Sequence, residues 1–207
     1  MSEMTPWLSA GDRLVCLGDS LTHNAQGYVR GLQQTLANRG ITVINAGKGG
    51  DNTITVMQRL QQDVIDQKPT AVSIMFGTND SQIGRGIWRK DPVIPHEVFK
   101  HGLIWIIFLC RRAGIEKFSI TPPLWRPEGE VWEDMGDVMP PYIQAARDAA
   151  AIADARVVPA DVAFAREWSR HPGHTGLLLT TDGCHLNDRG NQLVTDSSLS
   201  AWGLSDR

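Results

Sequence analysis

Residues 14–23 have the sequence LVCLGDSLTH, in which four apolar residues are followed by a short polar turn. Leu14–Leu17 is typical of a buried β-strand, and Gly18, Asp19 and Ser20 are residue types that favour a turn after a strand. Asp and Ser are also favoured at helix N-caps. The turn alone is therefore consistent with two roles for Ser20, a helix cap or a nucleophile, and the rest of the chain has to decide between them.

Composition and charge limit the classes of protein to consider. The chain has 207 residues, of which 42% are hydrophobic and 21% charged, so we expect one globular domain over residues 1–207. The net charge is −3 and the sequence has no block of like charges, so we expect no basic surface that would bind nucleic acid. Cys16, Cys110 and Cys184 are odd in number and far apart, which favours free thiols in a reducing compartment.

Targeting and membrane signals are not evident in the sequence. The N-terminal stretch MSEMTPWLSAGDR lacks a basic region followed by an apolar one, so no signal peptide is expected. The longest apolar run, Leu103–Cys110, is too short to span a bilayer. We therefore expect a cytoplasmic protein with no membrane partner.

Short apolar runs alternate with amphipathic stretches along the whole chain. Strands are predicted at residues 14–17, 41–44, 71–76, 118–120 and 156–159, and helices at 27–39, 53–67, 96–112, 137–154 and 187–202. This alternation predicts βαβ units and hence an α/β protein, with a parallel sheet covered by helices on both faces. Three long stretches are predicted to be irregular, and loops of such length are usually functional: residues 81–95, 121–136 and 169–181.

Polar, glycine-bearing clusters follow the first three predicted strands and precede the last helix. They are GDS at 18–20, NAGKGGD at 45–51, GTND at 77–80 and DGCHLN at 182–187. Ligands of open α/β sheets bind beyond the carboxyl ends of the strands. We therefore expect the four clusters to converge on one rim of the sheet.

These clusters contain the groups that a serine nucleophile needs. A serine attacks only if a base takes its proton and a third group orients the base. Asp182 and His185 are three residues apart, and on a helical turn this spacing would let the carboxylate hold one ring nitrogen. The oxyanion formed by the attack needs donors, for which the N–H of Ser20, an N–H of Gly49–Gly50 and the amide of Asn79 are suited.

Taken in order, GDSL at 18–21, GGD at 49–51, GTND at 77–80 and DGCH at 182–185 resemble the four sequence blocks of the GDSL/SGNH hydrolase family. The resemblance implies a three-layer α/β/α flavodoxin-like fold with a central five-stranded parallel sheet. Blocks of three or four residues are weak signals individually, but four such blocks in the right order are a specific signal.

The same resemblance implies a role for each of five residues. Ser20 would be the nucleophile and an oxyanion donor, with Gly50 and Asn79 as the further oxyanion donors. His185 would be the base and Asp182 its orienting group. No metal ion or other cofactor would be needed, and the interpretation of Ser20 as a helix cap becomes the weaker one.

A looser resemblance concerns the substrate. The stretches VINAGKGGDNT and DVIDQKPTAVSIMFGTND are similar to those of small intracellular acetylxylan-esterase-like members of the family. Cys184 before His185 and a short segment after Ser20 depart from that subgroup, which leaves the preferred acyl group and alcohol open.

Other chemistries are less favoured than the triad. His171 and His174, with Cys184 and His185, could be drawn as a metal site, but the intervening Pro-Gly favours a solvated loop and no CxxC or HExxH motif accompanies them. The GKGG cluster lacks the spacing of a phosphate-binding loop. His23 could be an alternative base, but a position on the rim of the site or a contact with substrate is favoured. Cys184 could be a thiol nucleophile, but it is interpreted as a packing residue.

Aromatic and charged residues fill the long loops. Trp88, Trp125 and Trp132 are predicted to bind substrate together with Asp19, since aromatic faces in a cleft suit sugar rings. Packing of the loops is an equal alternative for these tryptophans and for Trp168. Further rim residues are predicted at Arg85, Arg89, Arg126, Glu128, Glu130 and Asp134. Trp7, Trp105 and Trp202 are predicted to lie in the core or at a subunit interface. An interface position would allow a homo-oligomer.

Three classes of function remain. The first is a serine esterase that removes short acyl groups, chiefly acetyl, from a small-molecule or oligosaccharide ester. The second is a lysophospholipase- or thioesterase-type acyl hydrolase with the same triad, and the third is a non-catalytic binding module. The first is favoured, because the loops lack the continuous apolar lining that a long acyl chain requires.

Overall fold

The computed structural model of the chain describes residues 5–81 and 93–205. At its centre lies a parallel sheet with the strand order β2-β1-β3-β4-β5. In chain order, the strands β1 to β5 are Arg13–Gly18, Thr42–Gly47, Ala71–Met75, Lys117–Thr121 and Arg156–Val157. This is the flavodoxin-like order, so the predicted fold class is confirmed.

Helices connect the strands and cover both faces of the sheet. In chain order, α1 to α9 are Ser20–His23, Tyr28–Ala37, Leu60–Asp63, Thr78–Ser81, His96–Arg112, Gly129–Met135, Pro140–Ile152, Ala160–Ser169 and Asp188–Ala201. Short 3₁₀ helices flank α3 at Thr55–Gln58 and Ile65–Gln67.

The central strand β1 shows how the three layers form. Its side chains alternate between the two faces of the sheet because the strand period is two residues. Val15 and Leu17 belong to the core that includes residues of α5 and α7. Leu14 and Cys16 belong to the opposite core, with residues of α2, α8 and α9. Both faces of β1 are therefore buried, which is why its apolar residues run without interruption.

Some predicted elements differ from the observed ones. The predicted single helix over residues 53–67 is wrong, because this stretch is divided into two 3₁₀ helices and a four-residue α-helix. Its start is rich in β-branched residues, which have a low helix propensity, and Arg59 has a non-helical φ of −121°. The predicted irregular stretch 121–136 contains α6, and α8 was not predicted at all.

Individual core predictions have mixed outcomes. All three cysteines are buried, and none forms a disulfide within the described residues, in agreement with the predicted thiols: Cys16, Cys110 and Cys184. Trp202 is buried and stacks on Trp7 with ring centroids 5.4 Å apart, as expected for core residues. Trp105 is 53% exposed and is therefore not part of the core.

Nowhere in residues 5–81 and 93–205 does a helix have the length and apolar character needed to cross a membrane.

Candidate active site

Ser20 is the first residue of α1, directly beyond the carboxyl end of β1. The cap of this helix is Asp19, whose Oδ1 accepts the N–H of Leu21 at 2.9 Å. Gly18 is required before it, because a Cβ there would lie 2.1 Å from Thr22 Oγ1 and 2.6 Å from a backbone oxygen of β3. Ser20 is partly exposed, and its hydroxyl makes no hydrogen bond within the described part of the chain. Capping is thus performed by Asp19, which leaves Ser20 available.

The carboxyl group of Asp19 is 1% exposed. Burial raises its pKa to about 7, the nearby carboxylate of Asp80 adds to the rise, and the N–H of Leu21 and the charge of Arg126 oppose it. Asp19 was predicted to contact substrate. Its burial and its bond to the backbone favour a positioning role for Asp19 beneath Ser20.

The predicted oxyanion donors Gly50 and Asn79 lie on two neighbouring turns. Gly50 has a φ of +79°, a conformation that favours glycine, and stands in an exposed turn. Asn79 lies in α4, and its Nδ2 donates one hydrogen to the backbone oxygen of Asp51 at 2.7 Å. Because an amide nitrogen carries two hydrogens, the other is available to a ligand.

A buried arginine holds this side of the site together. Arg59 Nε donates to Asp51 Oδ2 at 2.5 Å, and its Nη1 donates to the oxygen of Ala46 at 2.8 Å. Its Nη2 donates to the oxygen of Gly18 at 3.1 Å. One guanidinium therefore links the ends of β1 and β2 to the turn that carries Gly50. Sequence reasoning missed Arg59, although a charged residue within an apolar stretch is a signal that could have identified it.

A second buried contact links the Gly50 turn to α4. Asp80 Oδ1 accepts the hydroxyl of Thr53 at 2.5 Å and the N–H of the same residue at 3.0 Å. Burial raises the pKa of Asp80, and these two donors reduce the rise. Together with the bond between Asn79 and Asp51, this contact holds the turn that carries Gly50 against α4.

Asp182 and His185 are hydrogen-bonded, with His185 Nδ1 2.7 Å from Asp182 Oδ2. The spacing of three residues brings the two side chains together without a helical turn: they lie in a bend enclosed by the bridge between Thr180 and Leu186. The turn forms because Gly183 has a φ of +85°, while Asp182 Oδ1 accepts the N–H of His185 at 2.6 Å.

The electrostatics of this pair suit a base and its orienting group. Burial opposes ionisation of Asp182, but hydrogen bonds from the ring and N–H of His185 and from the N–H of Cys184 lower its pKa overall. Nδ1–H of His185 donates to the carboxylate, which leaves Nε2 as an acceptor. No hydrogen bond joins His185 Nε2 to Ser20 within the described residues.

Residues 126–129, here called the clamp segment, fix the Asp182–His185 bend to the rest of the site. Arg126 was predicted to lie on the rim but is buried. Its Nη1 donates to the oxygen of Cys184 and its Nη2 to Thr78 Oγ1 at 3.3 Å. The segment therefore joins the turn of His185 to that of Asn79.

The second half of the clamp segment holds the chain that precedes the bend. Glu128, also predicted on the rim, is buried, and its carboxylate accepts the N–H of Leu178 at 2.5 Å and of Leu179 at 3.1 Å. Gly129 contacts Gly183 so closely that a Cβ on Gly129 would lie 2.6 Å from the Gly183 Cα. Both side chains are therefore buried where exposed positions were expected, because each pairs with backbone groups of the folded chain.

The alternative histidine sites are separate from this geometry. His23 Nδ1 lies 3.0 Å from the oxygen of Gly47, and His171 Nδ1 lies 2.9 Å from the oxygen of Glu167. His174 contacts the ring of His171. In residues 5–81 and 93–205, no group of three or more His, Cys, Asp or Glu side chains could hold a metal ion. Cys184 is buried, in agreement with a packing role.

The predicted substrate-binding tryptophans have different surroundings. Trp125 Nε1 donates to Asp137 at 3.1 Å, and its ring meets that of Trp132 edge-on at 5.9 Å. Trp132 and Trp168 line a cleft of about 630 Å³ that also borders Asp182. Trp88 lies outside the described residues.

Comparisons with known proteins agree with this geometry. The profile of the GDSL-like lipase/acylhydrolase family matches residues 16–193. The uncharacterized lipoprotein YqeF of Bacillus subtilis is 35% identical over 118 residues, 52% of this chain and 47% of that protein. An acetylxylan esterase of Geobacillus stearothermophilus is 33% identical over 101 residues, 40% of this chain and 43% of that enzyme. The matches thus span less than half the length of these curated relatives.

Solved structures extend the likeness to nearly the whole chain. The Axe2 acetylxylan esterase of Geobacillus stearothermophilus superimposes with a TM-score of 0.80 at 23% identity, covering 95% of this chain and 96% of that one. LAE5, an α/β hydrolase enzyme from the metagenome of Lake Arreo, has a TM-score of 0.80 at 23% identity, with 97% and 99% covered. At this level of identity the likeness establishes the fold.

Proposed function

This chain belongs to the GDSL-like lipase/acylhydrolase family, and on that basis we propose that it is a serine esterase that removes acetyl and other short acyl groups from carbohydrates. The observation that carries the proposal is the 2.7 Å hydrogen bond between His185 and Asp182. It orients an imidazole at the rim on which Ser20 begins a helix with an unbonded hydroxyl.

In the proposed reaction, Ser20 Oγ attacks the ester carbonyl while His185 Nε2 accepts the hydroxyl proton. The carboxylate of Asp182 stabilises the imidazolium that results. The tetrahedral oxyanion receives hydrogen bonds from the N–H groups of Ser20 and Gly50 and from Asn79 Nδ2. His185 then returns the proton to the departing sugar oxygen, and an acyl-enzyme remains.

Hydrolysis of the acyl-enzyme repeats these steps with water as the nucleophile. His185 takes a proton from the water, the carbonyl forms a second oxyanion, and the ester bond to Ser20 breaks with return of the proton to its oxygen. The products are a carboxylic acid and the free enzyme. The hydrogen bond from Ser20 to His185 would form as substrate binds, since such contacts are often long without ligand.

The preference for sugar esters rests on two supports. One relative and one similar structure are acetylxylan esterases. The cleft beside Asp182 has tryptophan walls and polar residues, which suit a hydroxylated ligand better than an alkyl chain. The cytoplasmic location, the single domain over residues 1–207 and a homo-oligomer stay predictions.

Replacing Ser20 by Ala tests the proposal. We expect kcat for nitrophenyl acetate to fall by about 10⁴-fold or more, because the attacking oxygen is lost, with little change in the melting temperature. Ser200→Ala, on the exposed end of α9, is the matched control. Near-native turnover by the Ser20 variant would contradict the assignment.

Acyl-chain preference is tested with nitrophenyl esters from acetyl to octanoyl. We expect kcat/KM to fall steeply beyond butyryl. A steady rise toward octanoyl would instead favour the lysophospholipase- or thioesterase-type alternative, since each buried methylene would then add about 0.8 kcal/mol.

A further inference from the structure

A cleft of about 630 Å³ is lined by Asp182 of the proposed triad, but its lining includes none of the other proposed catalytic residues Ser20, His185, Gly50 and Asn79. Trp132 of α6 and Trp168 of α8 contribute aromatic walls. Asp182 borders the cleft and is hydrogen-bonded to His185, so a single residue separates the cleft from the proposed base. Its volume is in the range of small-ligand sites, and a sugar unit joined to the reacting ester could enter it.

The walls of the cleft are held in place without a ligand. The clamp segment forms one side, where Glu128 binds the backbone N–H groups of Leu178 and Leu179. Gly129 packs directly on Gly183, next to Asp182. Because both contacts involve backbone atoms, the two sides cannot separate easily, and binding would require little ordering of the protein.

The charged side chains of the described residues that line the cleft are all acidic. Its described lining contains the carboxylates of Glu128, Glu130, Glu133 and Asp182 and no lysine or arginine. His174 is the other titratable residue among the described lining. Carboxylate oxygens accept hydrogen bonds from sugar hydroxyls, whereas a ligand with its own carboxylate would meet like charges.

We propose that this cleft is a subsite for the uncharged sugar units that adjoin the reacting ester, and that it selects neutral oligosaccharides over those that carry a uronic acid. The subsite rests on the proposed esterase function. The indole faces of Trp132 and Trp168 cover the apolar faces of the sugar rings. Glu130 and Glu133, both exposed at the cleft, accept hydroxyl hydrogens and repel an anionic sugar.

Binding is measured by titration calorimetry with the Ser20→Ala variant, so that no turnover intervenes. The probes are xylotetraose and a xylo-oligosaccharide of the same length with one uronic acid substituent. We expect the neutral probe to bind about tenfold more tightly at low salt, and the difference to shrink as salt is added. Equal affinities for the two probes, or no binding of either, would overturn the subsite.

Two further variants identify the residues responsible. In a background with Ser20→Ala, the double substitution Glu130→Gln and Glu133→Gln should reduce the tenfold preference to about twofold or less. Trp132→Ala should weaken both probes by about three- to tenfold, because a stacking surface is lost. Glu116→Gln, exposed in the turn before β4, is the matched charge control and should leave both affinities unchanged. A preference that survives the double substitution would contradict the proposed role of these glutamates.

The esterase function has its own readout. Nitrophenyl acetate has no sugar chain that could occupy the cleft. The rate of its hydrolysis therefore reports on the triad alone. Absence of turnover that depends on Ser20 would overturn the proposed function, whereas the calorimetry decides the subsite independently of it.

Discussion

The two sides of the candidate site are built differently. On the side of the proposed oxyanion donors, Arg59 and Asp51 form a buried ion pair, and Asn79 is hydrogen-bonded to the backbone of Asp51. On the side of the proposed base, the side chains of His185 and Asp182 are 41% and 49% exposed. One side is a buried network of charges, and the other is an exposed pair held by a bend of the backbone.

The difference corresponds to what each side has to do. Oxyanion donors must be in place before charge develops on the substrate, and rigid, buried partners keep them there. A base has to exchange protons with substrate and water, so it needs access to solvent as well as orientation. The clamp segment, residues 126–129, holds the backbone of the bend and the chain before it. His185, the proposed base, is thereby oriented while its side chain stays accessible to solvent.

The largest effect is expected on the exposed side. Asp182→Asn should lower kcat by about 10⁴-fold, because an amide would favour the wrong tautomer of His185. The free energy of unfolding should change little at neutral pH, since the carboxylate is half exposed. Asp196→Asn on the exposed face of α9 is the control, and kinetics with thermal unfolding measure both. A loss of stability as large as the loss of activity would contradict the contrast between the two sides.

A smaller loss is expected from the oxyanion side. Asn79→Ala should lower kcat by about 10²–10³-fold with nearly unchanged KM, since its donor acts on charge that appears only in the transition state. Steady-state kinetics with nitrophenyl acetate give the two constants. A rise in KM alone would identify Asn79 as a substrate-binding residue.

Arg59→Lys should affect stability and activity together. An ammonium group cannot reach Asp51 and the backbone oxygens of Ala46 and Gly18 at once, so the oxyanion turn loses its support. We expect kcat to fall by about 10–10²-fold and the free energy of unfolding by about 1–3 kcal/mol. Arg30→Lys, exposed on α2, should change neither. Loss of kcat with full stability would show that Arg59 acts on the reaction more directly.

The last expected effect is on the pH dependence of stability and not on the reaction itself. Burial raises the pKa of Asp19 to about 7, so ionisation of Asp19 destabilises the fold as pH rises from its unfolded pKa of about 4 toward 7. Asp19→Asn removes this titration and keeps the oxygen that caps Leu21. Between pH 4 and 8, the variant should therefore become increasingly more stable than the native protein, as measured by the free energy of unfolding. Urea titrations at several pH values test this, and a constant difference would place the pKa of Asp19 near its ordinary value.

The sequence predicted the fold correctly, because the fold depends on local patterns, and the same patterns carry the proposed composition of the site. The apolar run that forms β1 and the Gly18–Ser20 turn after it are encoded within a few residues. The parallel sheet follows from repeated alternation of such runs with helices. Side chains at the carboxyl ends of neighbouring strands must then meet, which is why Ser20 and Asn79 could be assigned to one rim.

The tertiary structure alone decided how those residues are held. The bend that joins Asp182 to His185 depends on contacts with the clamp segment, more than 50 residues away in sequence. Arg126 was predicted at the surface, because a sequence does not reveal which backbone oxygens remain unpaired after folding. Arg59 likewise meets its partners only when β1 and β2 lie side by side. Residue types and spacing thus determined the chemistry available to this protein, while the burial of long polar side chains against distant backbone groups was decided by the packed fold.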